Sequence, residues 1–207
     1  MHPSVPSRSS PTTRRRIIEA AVKLVRQQGY AATSVDGICA EAGVTKGAFF
    51  YHFRSKSEVG EAAIDAWCQN RVELYTVDLG DPEDDPLARL DRWLDGLAAS
   101  LRKPDESSAC LLGMMAQELG GSDERVREIC RGKLQGWTAL ATGLLAAVKQ
   151  SRPASLDFDP EQLAWMLNSI WQGSLLIAKN LQDPESAAVN LKHFRAYLGA
   201  LLGETPK

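Results

Sequence analysis

Few side chains in this sequence have the types and spacing that covalent chemistry requires. Its cysteines are Cys39, Cys68, Cys110 and Cys130, and its histidines are His2, His52 and His193. None of them falls at the short spacings that hold zinc, and no paired base for a cysteine nucleophile presents itself. We therefore expect no metal and no cofactor. Four scattered cysteines without a disulfide framework point to a reducing cytoplasm. The better chemical signal is cationic: "TKGAFFYHFRSK" at 45–56 interleaves Lys46, His52 and Lys56 with four aromatics. Cations at such intervals suit a polyanion, to which each contributes a salt-dependent contact.

Charge and local pattern say what positions these cations. Up to residue 57 there are nine Lys/Arg against three Asp/Glu, and beyond it fifteen against twenty-three. A basic module is thus joined to an acidic one, as in proteins that present one part to a polyanion. The basic module carries two short helical patterns, and neither is long enough to be stable alone. Thr33 or Ser34 can cap the first, which places Val35, Ile38 and Ala42 on one face and stops at Gly43. Thr45 can cap the second, whose Phe49 and Phe53 fall at i and i+4 toward a core. Its other face is left to Lys46, Gly47, Ala48, Phe50 and Tyr51. A longer helix precedes them, from Thr12 or Thr13 to a stop at Gly29, with Ile17, Ala21, Leu24 and Val25 on one side. Arg14, Arg15 and Arg16 crowd its first turn, where cations oppose the helix dipole. They are either a solvated cluster or a sign of an anionic partner. Two short helices joined by a tight connection have the spacing of a helix-turn-helix, whose second helix enters the DNA major groove.

The remainder shows helical periodicity and no strand alternation, so the fold class is all-α. Ser55 can cap a helix from Lys56, with Glu58 at the capping-box position. Further helices are expected at about 87–102, 107–119, 123–150, 160–181 and 185–202, separated by breaks such as "RKPDES" and "SRPASLDFDP". Residues 162–178 carry no charge, but Gln162, Asn168, Ser169, Gln172 and Ser174 interrupt them too often for a lipid span. We expect a tail over 1–12, a DNA-binding domain over 13–57 and a second domain over 58–207, with no membrane partner and no signal peptide.

The run from "RRRIIEAAVKLVRQQGYAATSV" through "AGVTKGAFFYHF" to "SKSEV" resembles the TetR family of bacterial transcriptional regulators. The resemblance implies a homodimer that binds double-stranded operator DNA. By it, Thr33 or Ser34 is a phosphate contact, Thr45, Lys46, Gly47 and Ala48 form the groove-facing start of the recognition helix, and His52 and Lys56 clamp phosphates. Arg14 joins this candidate set. Phe50 replaces the family's usual tyrosine, so that hydroxyl is absent, and Tyr51 is the nearby alternative.

The acidic part offers two expectations. Leu163, Leu167, Ile170, Ser174 and Ile177, with Leu191, Phe194 and Leu198, follow heptad-like steps and are assigned to a dimer interface, the alternative being their own subunit's core. The family places an effector pocket among the middle helices, for which Trp93, Met114, Met115, Trp137 and Trp165 are candidates beside Phe158. "ESSACLLGMMAQELGG" resembles a subgroup that includes the electrophile- and oxidant-responsive repressor of an N-ethylmaleimide reductase. That makes Cys110 a candidate sensor, in a first helical turn capped by Ser107 or Ser108, or else an inert buried thiol. The expected function is a regulator, most simply a repressor, released by a small-molecule effector, an electrophile or modification of a cysteine. The alternative is a helical small-molecule-binding protein or an enzyme using Cys110.

Overall fold

The computed structural model describes residues 12–76, 79–100, 110–152 and 157–203. Among them are nine helices and no strand: α1 (Thr13–Gln28), α2 (Val35–Ala42), α3 (Lys46–His52), α4 (Lys56–Thr76), α5 (Pro86–Ser100), α6 (Leu111–Leu119), α7 (Glu124–Gln150), α8 (Pro160–Leu181) and α9 (Glu185–Leu201). The chain divides into two compact units between Ala66 and Trp67, inside α4. The division falls nine residues after the expected 57/58 boundary, because α4 runs on without a break. Residues 1–11, Ser107 and Ser108 lie outside the described residues.

In the first unit each helix starts where its capping residue dictates. The Thr12, Ser34 and Thr45 hydroxyls accept from the backbone N–H of Arg15, Gly37 and Ala48, relieving one orphan donor each. At the α4 start the Ser55 hydroxyl accepts from Glu58 N–H, while the Glu58 carboxylate reaches one residue beyond a capping box, to Arg54 N–H. Gly43 ends α2 in the left-handed region, at φ 62°. Its N–H bonds Ala40 O and that of Val44 bonds Cys39 O, a Schellman motif that turns the chain into α3. Arg16, from α1, donates through Nη2 to the carbonyls of Ala42 and Gly43, the latter at 3.0 Å. Ile17, Ala21, Val25, Ile38, Phe49 and Phe53 are buried, so three helices too short or too polar to stand alone share one small core.

Gly43→Ala tests this turn. A side chain there meets both the left-handed φ and Arg16 Nη2, 2.9 Å from the added Cβ. The expected cost is about 1 to 2 kcal/mol, read as a lower denaturant midpoint.

The second unit packs α5, α7, α8 and α9 around Leu90, Trp93, Leu97, Leu145, Leu167, Trp171 and Phe194, with α6 laid on α7. Asp123 and Asp159 cap α7 and α8, and Pro160 opens α8 where its missing N–H costs nothing. Two amides bond across this core: Asn168 Nδ2 donates to Thr138 Oγ1 at 3.0 Å, and Asn190 Nδ2 to Ser174 Oγ at 2.9 Å, while Asn168 Oδ1 and Trp93 Nε1 are buried without a hydrogen-bond partner among the described residues. No helix of the described residues is long and apolar enough to cross a membrane.

The heptad stripes are not laid out as the sequence pattern predicts. Leu163, Leu167, Ser174, Leu191, Phe194 and Leu198 are buried in their own subunit, whereas Ile177 is exposed and Ile170 is half-buried. A repeat of seven falls about 20° behind a straight α-helix per heptad. The α8 stripe therefore begins in the core at Leu163 and leaves it by Ile177. The outer face of α8 and α9 instead carries Trp165, Met166, Leu176, Ile177, Val189 and Tyr197, all exposed.

Candidate nucleic-acid interface

The α2–α3 turn brings the N-termini of both helices to one surface. Lys46, the first residue of α3, extends Nζ to within 2.7 Å of Asp36 Oδ1 in the first turn of α2. That hydrogen bond and the charge of Asp36 hold the ammonium's pKa above its ordinary value. Ser34, Thr45, Lys46 and Gly47 are exposed and Ala48 is half-exposed. Two helix starts, each with backbone N–H groups and a positive dipole end, thus flank a small-residue surface. A Cβ on Gly47 would meet nothing closer than Thr45 Oγ1 at 3.8 Å. Packing within the unit does not demand glycine there.

The aromatics divide as their spacing predicts. Phe49 and Phe53 are buried, while Phe50 is 54% and Tyr51 85% exposed. Tyr51 sets its ring edge-on to half-buried His52, at 5.0 Å. Arg14 is exposed, with its guanidinium 5.0 Å from the Phe53 ring centre. Arg15 pairs with Glu19 at 2.7 Å. With Arg16 spent on the end of α2, the arginine cluster is largely absorbed by the unit itself.

Two candidates have other employment. Thr33 is 1% exposed and its hydroxyl donates to Gly29 O at 2.7 Å, so of the pair Thr33 and Ser34 only Ser34 offers its oxygen to the surface. Lys56 points its ammonium inward, 2.9 Å from Tyr30 O, 2.8 Å from Thr33 O and 3.5 Å from Ala31 O, above the Tyr30 ring. It fastens the α1–α2 connection. Asp36 was not singled out by pattern, and Arg16 only as one of a crowded arginine turn, because their partners are brought near only by the turn.

The effector candidates separate as well. Cys110 is the N-cap of α6, two or three residues later than the cap expected at Ser107 or Ser108, with Sγ 3.5 Å from Gly113 N. It lines a groove of about 280 Å³ with Met114, Gln172, Leu175 and Lys179. Lys179 Nζ lies 3.7 Å from Met114 Sδ. Gly113 keeps the groove open, since a Cβ there would come within 2.9 Å of Gln172 Oε1. Trp93 and Met115 are buried in the core, and Trp93 packs on half-buried Trp137 at 5.3 Å. Trp165 is no part of an interior pocket: it faces outward on α8, 40% exposed. Burial pushes the Cys39 and Cys130 thiols up, with Asp36 adding to it at Cys39 and Cys110 at Cys130. Among the described residues no group of His, Cys, Asp or Glu could hold a metal ion.

A basic three-helix unit with a helix-turn-helix, continued into an acidic helical unit, defines a DNA-binding transcriptional regulator. Residues 17–63 match the model for bacterial regulatory proteins of the tetR family, and residues 86–194 that for the tetracyclin repressor-like C-terminal domain. The chain belongs to the TetR family. It is 29% identical over 163 residues to the transcriptional regulator AcuR of Cereibacter sphaeroides, covering 79% of this chain and 74% of that one. It is 25% identical over 191 residues to the transcriptional repressor NemR of Escherichia coli, covering 89% and 94%. The crystal structure of a regulatory protein TetR from Rhodobacter sphaeroides superposes with a TM-score of 0.79 at 27% identity, covering 88% of this chain and 96% of that one.

Proposed function

We propose that the chain is a homodimeric repressor of nearby genes that grips a palindromic operator through α2 and α3 and lets go when the groove beside Cys110 is filled. The observation that carries this reading is the convergence of Ser34, Thr45 and Lys46 at two exposed helix N-termini on one face of the basic unit. Ser34, Thr45 and the backbone N–H groups take phosphates and set register, with Arg14, His52 and Tyr51 at the flanks. Lys46 reads a base edge, while Gly47 and Ala48 admit the groove wall and touch thymine methyls. One seven-residue helix reads too little sequence alone. Two copies on a two-fold axis read half-sites about one helical turn apart. The exposed apolar face of α8 and α9 supplies the surface that joins them.

Release follows from linkage: an effector that binds the DNA-incompetent arrangement more tightly must lower DNA affinity by the same factor. Cys110 lines the groove, so an electrophile entering it meets a thiol. Addition of the thiolate to an electron-poor alkene forms a C–S bond as the alkene π bond breaks, and the neighbouring carbon takes a proton from water. The adduct would occupy the space that Gly113 leaves open against Gln172 on α8. A reversible ligand of the same groove would act by the same displacement.

The test is a titration of the full chain on the DNA flanking its gene, over a range of salt, with and without a maleimide. We expect saturable, salt-dependent binding that the maleimide abolishes in the wild type and spares in Cys110→Ser. Lys46→Ala should weaken operator binding by about 1 to 3 kcal/mol and relax the preference at one base pair per half-site. Absence of any sequence-preferring binding would overturn the regulator reading. Equal release of wild type and Cys110→Ser would remove the covalent route and leave reversible ligands of the groove.

A further inference from the structure

The surface assigned to DNA contains a carboxylate, which a polyanion ought to repel. Through residue 57 the basic module holds only three acidic residues. Glu19 pairs with Arg15 along α1, and Glu41 pairs with Lys23 between α2 and α1 at 2.6 Å. Asp36 alone stands at the converging helix starts, with 65% of its side chain exposed, and it holds the one long cationic side chain at the start of the reading helix. An acid in the first turn of α2 is favourable toward the helix dipole. That explains an acid at this position, but not why it is bonded across the turn to Lys46.

We propose that Asp36 is a specificity-determining residue: with Lys46 it presents a neighbouring acceptor and donor that fit the major-groove edge of a G·C pair and penalise DNA lacking one. The proposal rests on the DNA face assigned above.

The edge of a G·C pair shows two acceptors, guanine N7 and O6, followed by the cytosine N4–H donor. Lys46 has three N–H groups, so it can keep one on Asp36 and give the others to N7 and O6. Asp36 then accepts from N4. An A·T pair presents the order acceptor, donor, acceptor, so its adenine N6–H meets the ammonium and its thymine O4 meets the carboxylate. Both contacts repel. Away from an operator, Lys46 that turns to a phosphate either carries Asp36 with it or leaves it, and in both cases the carboxylate faces the negative potential of the duplex. The pair is neutral as it stands and adds little to sequence-independent attraction.

The experiment compares the wild-type full-length chain with Asp36→Asn, Asp36→Glu and Lys46→Ala. Each is used to select from a randomised duplex pool, then titrated on the selected operator and on non-operator DNA across a salt series. Folding of each variant is followed by circular dichroism. We expect Asp36→Asn to bind non-operator DNA about tenfold more tightly, with a salt slope steeper by about 0.9 as Lys46 is released to a phosphate. The same variant should lose a G·C preference at one symmetric position per half-site, and Asp36→Glu should retain part of it. Wild-type base preference and slope in Asp36→Asn, beside weakened binding in Lys46→Ala, would overturn the proposal while sparing the DNA face. So would a uniform loss of affinity in Asp36→Asn together with lower thermal stability, which would mark Asp36 as a helix-end charge only. If wild type selects no sequence, or Lys46→Ala binds like wild type, the DNA face itself is misplaced and the proposal falls with it.

Discussion

Lys56→Ala is expected to destabilise the DNA-binding unit by about 2 kcal/mol and to weaken binding to operator and non-operator DNA alike, with the salt slope unchanged. The side chain looks like a phosphate clamp in sequence, one turn beyond the aromatics and at the start of α4. Its ammonium, however, is spread over the carbonyls of Tyr30, Ala31 and Thr33 and over the Tyr30 ring. Hydrogen bonds to a charged donor are worth about 1.5 to 3 kcal/mol, and partial exposure of these carbonyls to water holds the sum toward the low end. Without the ammonium the connection between α1 and α2 loosens, and with it the position of Ser34. Lys56→Met, which keeps the stem and removes only the charge, should show the same loss. A lost phosphate contact would instead lower the slope of log K against log salt by about 0.9. Denaturant unfolding and a salt series on the two variants separate the outcomes, and a flattened slope at unchanged stability would return Lys56 to the DNA surface.

The difference between Lys46 and Lys56 shows what the sequence could and could not reveal. Helix starts were readable because a cap is a local event: Thr12, Ser34, Thr45, Asp123 and Asp159 each bond an N–H two or three residues ahead. The division of the α3 aromatics was readable for the same reason, since i and i+4 fix a face. Contacts across the turn were not. Arg16 reaches Gly43 over 27 positions and Lys56 reaches Tyr30 over 26, and neither distance leaves a periodic trace. Asp36 did leave a faint one, as an acid in a stretch nearly free of them. Cys110 was legible by resemblance, but its neighbours Gln172 and Lys179 arrive from α8 and could be found only once α6 and α8 were laid together.

Ile177→Glu is expected to produce a folded monomer whose operator affinity is at least about a hundredfold lower, the largest effect foreseen for any surface substitution. Of the ten large hydrophobic side chains exposed among the described residues, seven lie on α8 and α9, and Ile177 is 46% exposed among them. With Met166, Ile170 and Tyr197 it lines a groove of about 420 Å³ between the two helices. On a monomer a glutamate there stays in water and changes stability by about 0.5 kcal/mol or less. Buried against a second copy it would be a charge without a partner, costing about 3 to 5 kcal/mol, and a two-fold axis would bury it twice. Loss of the dimer removes one of two half-sites, which is why affinity falls so far without any change at α3. Leu198→Ala is the contrasting variant. Leu198 belongs to the heptad stripe but is fully buried in its own subunit, so it should lower stability by about 2 to 5 kcal/mol and leave self-association of the folded protein intact. Sedimentation of both variants at micromolar concentration, followed by operator titration, decides which face joins the subunits. A dimeric Ile177→Glu with monomeric Leu198→Ala would move the interface from the exposed outer face to the buried positions of the heptad stripes.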